Sequence, residues 1–120
     1  MQDFRELRVW QRSQSLTAQV YGATRTLRGR DLVSLRSQLT RSTASIAANI
    51  AEGANSAGPR DFARYLQMAI GSSSETESHL DLAFRLALVP AGVVMPLIDE
   101  VVVIRKMLIV LRRRVLEADD

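Results

Sequence analysis

Apolar residues recur every three to four positions along almost the whole chain. Leu7, Trp10, Leu16, Val20, Ala23 and Leu27 share one stripe, which predicts a first helix over about residues 4–26. The segment "LRGRD" interrupts it, with Gly29 free to take a positive φ and Asp31 placed to cap the next helix. Leu32, Leu35, Leu39, Ser42, Ile46, Asn49 and Gly53 alternate steps of three and four, giving a second helix over about 31–56. In "NSAGPRDF" Gly58 turns the chain, Pro59 suits a first helical position and Asp61 complements the positive end of a helix. The third helix, about 59–88, carries Phe62, Leu66, Ala69, Ser73, Thr76, Leu80, Ala83 and Ala87, and "VPAGV" closes it. The fourth, about 93–117, carries Val94, Leu97, Val101, Ile104, Leu108, Leu111 and Val115. Val102, Val103, Ile109 and Val110 lie off that stripe, so the apolar arc exceeds what a monomeric bundle buries and part of it is expected to face another subunit.

No window alternates polar and apolar residues with period two for long enough to make a sheet. The β-branched run "VVVI" is outweighed by the helical stripe around it. Four long amphipathic helices joined by short turns predict an all-α fold, an antiparallel up-down-up-down four-helix bundle, in a single domain over 1–120.

The second stripe carries polar and small residues where a bundle ordinarily places leucine. In a hairpin that turns near Ala57 and Gly58, residues equidistant from the turn lie side by side. Ser45 then falls opposite Gly71 and Ser72, Asn49 opposite Gln67 and Met68, Glu52 opposite Arg64 and Tyr65, and Arg41 opposite Glu75 and Thr76. The small, polar part of helix two therefore meets "AIGSSSETES" of helix three. Small residues let two backbones approach closely, and the polar side chains left between them must find partners across the seam. Arg41 with Glu75 and Glu52 with Arg64 are the expected charge pairs, and Gly71 the expected point of close approach. A structural seam is favoured over a ligand site.

The composition is that of a folded protein, with 47% hydrophobic and 24% charged residues. It contains no cysteine, which excludes disulfides and thiolate metal sites and suits a reducing compartment. "MQDFRELRVW" has no apolar run of the secretory kind, so a cytoplasmic location is expected. The longest nearly apolar run is interrupted by Arg85, Pro90 and Pro96, short of the ~20 residues a membrane helix needs.

Little of the inventory suits catalysis. His79 is the sole histidine, paired at i, i+4 with Glu75, whereas a carboxylate-bridged metal centre in a bundle needs two histidines and four glutamates. "SSS" at 72–74 has no visible base, and Gly53, Gly58 and Gly71 are too dispersed to cradle phosphate. A non-enzymatic protein without metal or cofactor is expected.

Charge is more informative. The formal charge is +3, and fifteen of the sixteen basic residues are arginine. In a bundle the first turn gathers Arg25, Arg28, Arg30 and Arg36 against Asp31 alone. The opposite end collects Arg5, Arg8, Arg12, Arg60, Arg64 and Arg112 to Arg114, largely offset by Asp3, Glu6, Glu52, Asp61, Glu117, Asp119 and Asp120. The first cluster, multiplied in an oligomer, is the candidate surface for RNA or DNA. Trp10 and Tyr21 are read as packing residues rather than as platforms for bases.

"LRSQLTRSTASIAANIAEG" followed by "RDFARYLQMAIGSSSETESHLDLA" closely resembles the small four-helix-bundle proteins encoded in intervening sequences of bacterial 23S ribosomal RNA genes. The resemblance extends to "FRELRVWQRSQSL" and "MLIVLRRRV" and so covers nearly the whole chain. The chain departs from the pattern in the first turn, where Leu27-Arg28 and Val33-Ser34 replace an aromatic-proline and a tyrosine-glycine pair. The resemblance implies a helical bundle with no established enzymatic activity. Related accessory proteins of diversity-generating retroelements form ring-shaped homopentamers that bind nucleic acid and a reverse transcriptase. A homopentamer and those two kinds of partner are therefore what the resemblance implies here.

Overall fold

The computed structural model describes residues 3–118, with the side chain of Asp31 outside the described set. Asp119 and Asp120, two of the acids offsetting the arginines, also lie outside it. Among the described residues there are four α-helices, one 3-10 turn and no strand. The helices are α1 (Arg8–Thr24), α2 (Arg30–Ala54), α3 (Pro59–Arg85) and α4 (Ala91–Glu117). They pack into a body of 49 × 22 × 20 Å. Here α1 packs on α2 and α4, and α3 on the same two, while the diagonal pairs stay further apart. Leu16, Leu39, Ile46, Ile50, Leu66, Leu80, Ile104 and Leu108 are fully buried where the four stripes converge. Each such side chain contributes about 1.5–3 kcal/mol relative to its exposed state.

The predicted first helix is two elements. Phe4–Glu6 forms a 3-10 turn in which Asp3 Oδ1 accepts from the Arg5 amide at 3.0 Å, and Leu7 is extended (φ −75°, ψ 120°) before α1 begins. The break has a packing cause. Leu7 and Val9 are both buried, but residues two apart on an α-helix point roughly 200° from each other. Straightening the chain would expose one of them. The Phe4 ring meets the Trp10 ring edge-on at 5.1 Å, which closes this corner over the core.

Gly29 has φ +99° and is itself the N-cap of α2, the position expected of Asp31. Gly58 is extended (φ 178°), a conformation open to any residue, with Pro59 following at the first helical position. The third helix ends at Arg85, three residues before its predicted end. Ala87 is not on its stripe but outside the helix at φ 55°. The Leu88 amide donates to the Ala83 carbonyl and the Ala87 amide to that of Phe84, each at 3.0 Å. This is a Schellman closure with alanine where glycine is usual.

Candidate functional site

Polar groups gather in two places, and α2 contributes a different face to each. Between α2 and α3, Ser42 and Thr76 are buried, and Ser45 and Ser72 are half-buried. Ser45 Oγ lies 2.6 Å from Ser72 Oγ and 2.8 Å from the Ser42 carbonyl. Thr76 Oγ1 lies 3.0 Å from Ser42 Oγ and 2.8 Å from the Ser72 carbonyl, and Ser42 Oγ lies 3.1 Å from the Leu39 carbonyl. Carbonyls only accept, so Ser45 donates to Ser42 and the Ser72 hydroxyl donates to Ser45. The four hydroxyl protons are all engaged by the fold, and none is left for a substrate. Asn49 follows the same rule, its Nδ2 donating to the Ser45 carbonyl of its own helix at 2.9 Å. The Ser45 to Ser72 contact is the one the hairpin pairing anticipates.

Three details of the predicted seam are corrected. Arg41 and Glu75 are exposed and line one groove with Gln38, Ser42 and Ser45, but they form no ion pair. They lie on the outer side of the seam, where water competes for both charges. Glu52 is exposed and does not meet Arg64. That guanidinium turns to Asp61, one turn back on its own helix (3.4 Å), and stacks 4.6 Å over the Tyr65 ring. Gly71 is exposed, and a Cβ there would meet nothing within 4 Å. The close approach is at Gly53 instead, where a Cβ would sit 2.8 Å from both Phe62 Cδ1 and Tyr65 Cβ. The cross-helix ion pairs are elsewhere as well. Arg12 grips Glu100 through Nε at 2.9 Å and Nη2 at 2.6 Å, and Arg105 Nη2 meets Glu77 at 2.7 Å. The hydrogen bond to Glu100 raises the Arg12 pKa further above its ordinary range.

The second place is the α1–α2 end. Arg25, Arg28 and Arg30 are exposed and Arg36 is half-buried. Among the described residues, none of the four forms an ion pair. Arg25 and Arg36 line a groove of about 690 Å³ together with Ala18, Tyr21, Gly22, Thr24, Val33, Ser37 and Thr40, whereas Arg28 and Arg30 lie outside it. Thr24 and Thr40 are committed to carbonyls of their own helices, at Val20 and Arg36. Tyr21, expected to pack, is 54% exposed, while Trp10 is half-buried against the core. The stripe already contained that distinction: Tyr21 follows Val20 directly and so points about 100° away from the core line.

His79 is half-buried. Its Nε2 lies 3.7 Å from Glu75 Oε1 and has no hydrogen-bond partner. Among the described residues no three His, Asp or Glu side chains are grouped as metal ligands, and no helix is long and apolar enough to cross a membrane.

No curated protein matches the chain. A crystal structure of a protein of unknown function from the S23 ribosomal protein family of Bacteroides thetaiotaomicron VPI-5482 is similar in fold. Its TM-score is 0.79 at 24% identity, over 87% of this chain and 97% of that one. The family model described as 23S rRNA-intervening sequence protein matches residues 5–110, a span that includes both halves of the α2–α3 signature. The chain belongs to the 23S rRNA-intervening sequence protein family.

Proposed function

We propose that this protein is a non-enzymatic, cytoplasmic homo-oligomer that binds RNA or DNA through arginines, on a bundle of antiparallel up-down-up-down topology. The observation that carries the reading is the group Arg25, Arg28, Arg30 and Arg36, four guanidinium groups at one end of the molecule without ion-pair partners among the described residues. A phosphate backbone neutralises such a group and releases counterions. Fluorescence anisotropy with structured RNA and with duplex DNA tests it. Four phosphate contacts per subunit predict a loss of roughly 100-fold in affinity between ~50 and ~200 mM salt. Absence of binding at ~50 mM salt overturns the proposal.

Oligomerisation is supported by Val103, Ile109 and Val110 of α4, each at least 37% exposed. A ring of five subunits rests on family resemblance. Light scattering returning 13.3 kDa at all concentrations removes this part of the proposal. A second reading, a protein-binding adaptor with a partner such as a reverse transcriptase, is favoured by exposed Leu82, Phe84, Leu86, Val93 and Met95 around the α3–α4 turn. It predicts a contact that is insensitive to salt, and a reverse-transcriptase gene beside this one.

A further inference from the structure

Arginines alone hold a backbone without regard to its bases, yet the α1–α2 groove contains more than arginines. Tyr21, in the last turn of α1, and Arg25, the C-cap of that helix, both line the groove. Across from them, Val33, Arg36, Ser37 and Thr40 follow one face of α2. Gly22, next to Tyr21, has open space where a Cβ would be. Val33 is 47% exposed and gives the groove an apolar wall. Among the described residues no carboxylate lines it. The groove thus offers an aromatic face, an apolar wall and two cations, with no competing anion among the described residues. Its volume falls within the roughly 300–1,000 Å³ of small-molecule sites.

We propose that this groove takes an unpaired base of a single-stranded nucleic acid, stacked on Tyr21, with the adjoining phosphates held by Arg25 and Arg36. The inference rests on the nucleic-acid reading of the arginine group and narrows it. A duplex hides the faces of its bases in its own stack, so the phenol ring of Tyr21 is useful only to a strand whose bases are free. Arg28 and Arg30, outside the groove in the α1–α2 turn and at the start of α2, extend the track for the backbone. Tyr21 is the positioning element for the base, and the arginines supply the charge.

The test compares two labelled 12-nucleotide strands at ~50 mM salt, one of thymidine and one abasic throughout, which carry the same phosphates. The protein is expected to bind the thymidine strand at least about fivefold more tightly, the lower bound for one stacked base. Tyr21→Ala erases that preference and leaves the affinity for the abasic strand unchanged, while Tyr21→Phe keeps it. Arg25→Ala with Arg36→Ala weakens both strands in equal proportion. Equal binding of the two strands by the unaltered protein, or a preference that survives Tyr21→Ala, overturns the stacking inference and leaves the electrostatic one standing. If neither strand, nor duplex, nor structured RNA binds, both are overturned. Tyr21 is exposed, so thermal melts of its variants should superimpose on that of the parent.

Discussion

The two polar regions of the bundle are built from the same helix and end in opposite states. On the face of α2 toward α3, Ser42, Ser45, Ser72 and Thr76 use every proton they have on one another or on backbone carbonyls. On the side toward α1, Arg25 and Arg36 have no ion-pair partner among the described residues, and the ring of Tyr21 is exposed. Polarity in a helical interface therefore does not by itself mark a site. What distinguishes the two is polar and aromatic capacity, which the seam spends on the fold and which the proposed binding groove holds open.

The comparison can be broken by variants that should act on one region and spare the other. Gly53→Ala carries the largest expected effect. Its Cβ would lie 2.8 Å from Tyr65 Cβ, an atom fixed to the α3 backbone, so the helices must separate. A loss of about 2 kcal/mol in chemical denaturation is expected despite the better helix propensity of alanine, with nucleic-acid affinity unchanged in the folded fraction. Next comes Arg25→Ala with Arg36→Ala. Here the melt should stay within about 0.5 kcal/mol, while the slope of log affinity for duplex DNA against log salt falls by about 2. Ser72→Ala removes the donor to Ser45 and should lower stability by about 1 kcal/mol without altering binding. Gly71→Ala should raise stability by up to about 1 kcal/mol, since the position is exposed, helical and open. The smallest effect is that of Ala87→Gly, a gain of about 0.5 kcal/mol from relieving an alanine at φ 55°.

These variants also mark where the sequence was legible. Periodicity located four helices, every buried position of α4 and all but Ala63 of those of α3, because burial there follows angular position; on α1 and α2 the stripes passed over others, among them Val9, Ser13, Thr43 and Ile50. The same periodicity predicted the Ser45 to Ser72 contact, since a hairpin pairs residues by distance from its turn. It could not choose between Gly53 and Gly71. Both are helical glycines in small-residue surroundings, and only the approach of Phe62 and Tyr65 tells them apart. Nor could it foresee the break at Leu7, which depends on Leu7 and Val9 both being drawn to one core. The ion pairs were misassigned for a related reason. Arg64 had a nearer partner in Asp61 on its own helix, and Arg12 and Glu100 lie far apart in the chain, so no local pattern joins them. Of the groove, the arginines are evident from charge, but Tyr21 reads as a packing residue, as aromatic residues in a small bundle usually are, and its exposure appears only in the structure.

The contact at Gly53 also gives the hairpin a mechanical character. Helices lined with small residues present smooth surfaces and slide past one another readily. A slip of one turn, about 5.4 Å, would bring Asn49 to the place now held by Gly53, and a side chain would have to enter a gap sized for a hydrogen atom. Gly53 thus works as a detent: the smooth part of the seam lets α2 and α3 come close, and the notch at its end permits them only one alignment.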